Sequence, residues 1–327
     1  MKALIESIIS IKILYQAIVI AYYRPRLERI FGEIQSVLKK CSLDTHHDVQ
    51  TTLRHLQTSS DLVIKGYLSL EMFSLTVYCA IPTIVTIFKY ATTGIVPALP
   101  NMLEADFVLF DYTSNFWIWL PVALFSDVII VYNTIVAVIQ DSFFWCLLHH
   151  VSGVFKIIRM QIVQLDEFQE AEQFQEKLSE IVQMQGVAYR SAKELKTTLS
   201  SLLLLLYGAC MLILCMTMMV LTIASGDTDL LSKMGVIVYF IFFQIFSFSM
   251  LGTELMTACS AIADAIYDTN WYKRSVPEQR NIQFVLMRSQ RMATLTAANF
   301  FGVNRATFAM TIRSAFSYFT VLRQFYG

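Results

Sequence analysis

TTLSSLLLLLYGACMLILCMTMMVLTIASG, residues 197–226, contains no charged side chain. A helix of about 20 mostly apolar residues crosses the hydrocarbon core of a bilayer, so this run is long enough to span one. The surrounding chain repeats the pattern. Residues 234–253 are also uncharged, 66–88 carry Glu71 alone, 115–140 carry Asp127 alone, and 3–22 carry Glu6 and Lys12. A sixth segment, 306–322, contains Arg313 and is rich in small and aromatic residues. It is the least hydrophobic of the six, as befits a helix facing protein or water rather than lipid.

Composition agrees. Of 327 residues, 56% are hydrophobic and 15% charged, and mean hydropathy is +0.54. A soluble domain needs a charged skin of about 25% of its residues. The 24 Phe and 15 Tyr exclude a disordered chain. With 25 Lys+Arg against 25 Asp+Glu there is no basic excess, and nucleic acid is not an expected partner. The expected fold class is an all-α membrane protein with six visible transmembrane helices, surrounded by membrane lipid.

The loops set orientation. Loops 23–65, 148–196 and 259–305 are rich in Lys and Arg, whereas 92–114 and 225–233 offer Lys233 alone. The positive-inside rule makes the three basic loops cytoplasmic and leaves the C-terminus extracellular. Six spans then place both termini outside, yet Met1-Lys2 leads almost directly into a span with no signal peptide. A further helix before Met1 is therefore expected. The cytoplasmic loops read as structured: Phe168, Phe174, Leu178, Ile181 and Leu195 recur at near-helical spacing among Glu, Gln and Lys. Residues 24–38 and 278–291 read the same way, and together they predict a packed helical bundle inside the cell.

No enzyme is visible. The chain has no Gly-rich phosphate loop, no HExxH and no GxSxG. The six cysteines are dispersed without CxxC spacing and read as buried, inert thiols. His46-His47 and His149-His150 are adjacent pairs that point about 100° apart on a helix and chelate poorly. No cofactor or metal is expected. Asp127 and Asp141 share a helix face nearly four turns apart, and without a basic partner they read as polar contacts within the bundle. A receptor, channel or transporter remains. No internal repeat speaks for a transporter, and no DRY or NPxxY speaks for a rhodopsin-like receptor.

The C-terminal third narrows this. AIADAIY (261–267), Trp271-Tyr272, Gln279-Arg280, LMRSQR (286–291) and LTAA (295–298) resemble, in order and spacing, the segment after the sixth helix of insect odorant receptors. Arg313 and SYFTVL (317–322) are similar to that family's ending. Phe110-Asp111 and Asp141 match more weakly, and Gln185 stands where the family often has a His. The first of the family's seven helices has no counterpart here. The ending also resembles the related gustatory receptors, because Ser317-Tyr318 precedes Gln324-Phe325 at their spacing. A gustatory channel and a non-functional truncated paralogue are the alternatives.

The resemblance implies a subunit of a ligand-gated, non-selective cation channel, a heterotetramer with the odorant co-receptor in the plasma membrane of olfactory neurons. The co-receptor has an enlarged second cytoplasmic loop, whereas 148–196 is compact, which implies a tuning receptor. The chain would divide into a ligand-binding bundle (1–258), a cytoplasmic anchor (259–305) and a pore-lining last helix (306–327). Val321 would form a hydrophobic gate that closes by dewetting, with Gln324 and Phe325 outside it and Arg313 deeper. A small apolar volatile would bind in the outer halves of the helices. The residues expected around it are Tyr78, Ile81, Val85 and Phe88, then Phe116, Trp119 and Ile130, then Tyr239, Phe242 and Phe243.

Overall fold

The computed structural model describes residues 2–43, 46–93, 115–168, 170–223 and 228–326. The described chain is a bundle of long rods. In order they are α1 (Lys2–Ser42), α2 (His47–Leu75) continuing through a π-helical turn (Thr76–Ala80) into α3 (Ile81–Thr93), α4 (Phe116–Gln164), α5 (Ala171–Ile223) and α6 (Thr228–Asp268). A short α7 (Val276–Ser289), a hairpin of β1 (Thr296–Ala297) and β2 (Phe301–Gly302), and α8 (Arg305–Tyr326) follow. Among the described residues, five helical stretches are long and apolar enough to cross a membrane: Leu4–Ser42, His47–Thr92, Phe116–Glu167, Ala171–Val220 and Lys233–Asp268. The sixth expected span lies in α8, whose Arg and hydroxyl side chains keep it below that mark. Residues 94–114, with Phe110-Asp111, lie outside the described residues.

The rods are longer than a bilayer crossing needs, and the core is densest towards the end that carries the basic loops. On α4, no residue from 127 to 136 is buried, whereas most of 137–162 are. The stripe read from the sequence is the packed face of α5's first half: Phe174, Leu178, Ile181 and Leu195 are all buried. Asn115 starts α4 by accepting the Trp117 N–H at 3.0 Å. The π-helical turn sits just before Pro82, which has no N–H for the Tyr78 carbonyl and whose ring would collide with it in a regular turn.

The segment after α6 is held by side chains. Arg274 donates to the Phe168 carbonyl at 2.8 Å and the Leu165 carbonyl at 3.0 Å, and its guanidinium lies 4.4 Å from the centre of the Phe174 ring. Ser275 and Glu278 form a capping box at the start of α7, with Pro277 in its first turn. Gln185 of α5 donates to the Ser289 hydroxyl at 2.8 Å, and both residues are buried. Ser289→Ala would strand that amide. It is expected to lower stability by about 1–3 kcal/mol in thermal or denaturant unfolding of the purified protein, and an unchanged midpoint would show the contact dispensable.

The hairpin is absent from the helical reading of the sequence. Ala298 and Asn299 both hold positive φ, 46° and 60°, the paired left-handed conformation of a type I′ turn. Alanine rarely adopts it. Here the Ala298 N–H is bound to the Ser200 carbonyl at 3.0 Å, and Phe300 closes the turn on the Ala297 carbonyl at 2.9 Å. Anchored on α5 in this way, the hairpin fixes where α8 begins.

Candidate functional site

Four helices enclose a cavity of about 190 Å³ on the side of the bundle away from the basic loops. α1 contributes Glu6, Ile9, Ser10 and Ile13, and α2 contributes Glu71, Ser74 and Leu75. Tyr78 closes it from the π-helical turn. α4 gives Ile129, Ile130, Asn133, Thr134 and Ala137, and α6 gives Val236, Ile237 and Phe240. The Tyr78 hydroxyl donates to Glu6 at 2.8 Å.

Beneath the cavity, one layer nearer the basic end, lies a buried polar cluster. The fully buried Asp141 of α4 accepts from Gln16 of α1 at 2.9 Å, from Tyr67 of α2 at 3.3 Å and from Gln244 of α6. The buried Lys12 ammonium stands 3.8 Å from the same carboxylate. No basic partner for Asp141 was visible along its own helix; the fold supplies one from α1. Without water in a bilayer core, such groups must satisfy one another, so this layer ties α1, α2, α4 and α6 together. Asp127, by contrast, accepts from Thr83 of α3 at 2.9 Å, outside this cluster. His149 meets Glu254 at 3.0 Å and His150 bonds the Cys146 carbonyl one turn back at 2.6 Å. Among the described residues no group of His, Cys, Asp and Glu could hold a metal ion, and all six cysteines are free, five of them buried.

The expected ligand residues fall in different places. Tyr78 and Ile130 line the cavity. Ile81, Val85 and Phe88 lie on the exposed face of α3. Phe116 and Trp119 form a separate buried cluster, with Tyr90 stacked 3.8 Å from the Phe116 ring. Phe243 stacks on Tyr67 at 5.3 Å, Tyr239 lies beyond it at 6.2 Å, and Phe242 packs edge-on to Phe308 of α8 at 5.1 Å. The cavity residues that sequence reasoning missed include Ile9, Ile13, Ala137, Ile237 and Phe240. Glu6 and Glu71 gave a usable signal, because ionisable residues inside a span turn towards protein or a cavity. On α8, Arg313, Val321 and Gln324 are exposed, as are Phe316 and Tyr318. The Phe325 side chain lies outside the described residues.

A family profile described as 7tm Odorant receptor matches residues 1–316. The chain belongs to the odorant receptor family. Of the two receptor readings that the sequence left open, this is the odorant one. Among curated relatives, this odorant receptor is 25% identical over 198 residues to odorant receptor 22c of Drosophila melanogaster, covering 57% of this chain and 48% of that protein. It is 32% identical over 94 residues to the odorant receptor coreceptor of Aedes aegypti, covering 29% of this chain and 20% of that one. The match to the first of these relatives thus spans about half its length. In fold the receptor is similar to olfactory receptor OR5 of Machilis hrabei, solved in complex with eugenol. That likeness has a TM-score of 0.78 and 19% identity, covering 98% of this chain and 81% of that chain.

Proposed function

We propose that this odorant receptor is a tuning subunit of a ligand-gated, non-selective cation channel. It binds a small volatile in the cavity between α1, α2, α4 and α6 and opens a pore together with the odorant co-receptor, as a heterotetramer in the plasma membrane of olfactory neurons. The basic end of the bundle is cytoplasmic, and the C-terminus is extracellular.

The observation that carries the reading is that α6 forms both a wall of the cavity and, together with α5, the surface on which α8 rests. Val236, Ile237 and Phe240 face the cavity, while Phe242 and Phe246 pack against Phe308 at 5.1 and 5.6 Å. A ligand that binds better when α6 is displaced biases α8 as well, which is the differential affinity that gating needs. The exposed face of α8 suits a pore lining and contact with other subunits. Val321 then supplies the apolar constriction, Gln324 and Phe325 the outer mouth, and Arg313 the inner vestibule.

The test is co-expression with an insect co-receptor and recording of membrane current across a volatile panel. Odour-evoked current beyond that of the co-receptor alone is the expected result. Ile130→Trp fills the cavity and is expected to raise the half-maximal concentration at least about tenfold, a loss of roughly 1.4 kcal/mol of binding, with surface expression unchanged. An unaltered response would remove the cavity as the ligand site. Silence of the surface-expressed unsubstituted chain would instead favour the non-functional paralogue.

A further inference from the structure

Glu71 is 4% exposed, lines the cavity, and its Oε1 has no hydrogen-bond partner. In a bilayer there is no bulk water to meet that oxygen, so the bundle tolerates it for a reason or at a cost. The Lys12 ammonium acts on it but stands 3.8 Å from Asp141. Asp141 already accepts from Gln16, Tyr67 and Gln244. Two buried carboxylates thus share the Lys12 ammonium, and the one whose Oε1 lacks a donor lines the cavity.

We propose that the cavity takes a small protonated amine, with its ammonium on Glu71 and its hydrocarbon part among Ile9, Ile13, Ile130, Ile237 and Phe240. The proposal rests on the cavity being the ligand site and deepens that reading to a chemical class. An ammonium brings the missing positive charge together with up to three donors. A neutral alcohol brings one donor and no charge. An ester or a hydrocarbon brings neither, and its binding would cover the carboxylate without replacing the donors it lacks. The Glu6 carboxylate receives the Tyr78 hydroxyl, Tyr67 is bound to Asp141, and Tyr239 lies beside Phe243. The buried Lys233 stands one turn before Val236 and Ile237 on α6 and is not among the residues that line the cavity. Size follows from volume. An apolar cavity of about 150 Å³ holds benzene, so about 190 Å³ accommodates a single ring bearing an aminomethyl arm.

The experiment is direct titration of the purified full chain in lipid nanodiscs with cyclohexylmethylamine and with the isosteric cyclohexylmethanol. The amine is expected to bind about 10- to 100-fold more tightly, the range of a hydrogen bond to a charged partner. Glu71→Gln keeps the shape, removes the charge, and is expected to bring the two affinities within about threefold. Glu71→Asp keeps the charge and is expected to retain the preference, which provides a second reading should the Gln variant not fold. Equal affinities in the unsubstituted chain, no measurable amine binding, or a preference that survives in Glu71→Gln would each overturn the proposal. Failure of the cavity reading looks different: binding of either compound would then persist in Ile130→Trp. Alcohol binding without amine preference, abolished by Ile130→Trp, would leave the cavity standing and remove only the amine.

Discussion

Asp141→Asn is expected to lower the unfolding free energy by about 3–5 kcal/mol, the usual cost of leaving one member of a buried ion pair without its partner. The substitution is isosteric, so packing around it is preserved. What changes is polarity. The Asn amide would direct its own donors at positions where Gln16, Tyr67 and Gln244 already donate. Lys12, buried and 3.8 Å away, would lose its countercharge. Four helices meet at this carboxylate, and no bulk water reaches it to take over. The measurement is thermal unfolding of the purified chain followed by size-exclusion chromatography. Adding Lys12→Met should recover most of the loss, because a buried pair replaced by apolar side chains is often neutral while a broken pair is not. A double variant less stable than Asp141→Asn alone would show that Lys12 is held by something other than Asp141.

Gly252→Ala is the second large effect expected. A Cβ on Gly252 of α6 would stand 2.1 Å from the Val303 carbonyl oxygen and 3.1 Å from its carbon. These are backbone atoms and cannot rotate aside. Val303 is buried, its N–H is bound to the Leu295 carbonyl at 2.9 Å, and the neighbouring Arg305 N–H is bound to Thr253 at 3.0 Å. Making room for one methyl group therefore moves the connection between hairpin and α8. Overpacking of this kind costs about 1–3 kcal/mol and more where backbone must shift, so a loss above roughly 2 kcal/mol is expected, together with altered odour-evoked current. Gly153→Ala is the control. Its Cβ would meet Leu56 Cδ1 at 2.5 Å and Cδ2 at 2.7 Å, but these are side-chain rather than backbone atoms, and a cost smaller than that of Gly252→Ala is expected, about 1 kcal/mol. Equal unfolding midpoints for the two variants would show that α6 and the α8 connection are less closely docked than the geometry says.

The bundle was legible in the sequence because the bilayer imposes a length and a polarity on every crossing segment. The uncharged run 197–226 and the basic loops 23–65, 148–196 and 259–305 needed no tertiary information. The stripe from Phe174 to Leu195 was equally open, since a helical period survives whatever partner covers it. The hairpin was not. Ala298-Asn299 lacks the usual turn glycine, and its left-handed pair depends on Ser200, about a hundred residues earlier in the chain. The cavity was only half legible, for an instructive reason. Aromatic residues suit lipid-facing and protein-facing surfaces alike, so Phe88 and Phe116 could not announce which way they point. Charge does announce it. Glu6, Lys12, Glu71 and Asp141 had to turn inwards, and a search that started from them would have come closer to the cavity floor than one that started from rings.

The uneven burial along α4 also bears on how such a receptor changes over generations. Residues 127–136 border the cavity or face outwards with none of them buried, whereas 137–162 run through the densest part of the fold. If the proposed site holds, a substitution at a cavity-lining position of the first stretch alters mainly the shape and chemistry offered to a ligand. One in the second disturbs a close-packed interior and is felt throughout it. A duplicated copy of the gene can therefore accumulate changes at positions such as Ile129, Ile130, Asn133 and Thr134 while remaining a folded membrane protein. New chemical preferences are within reach of single substitutions, and the scaffold that carries them is inherited intact.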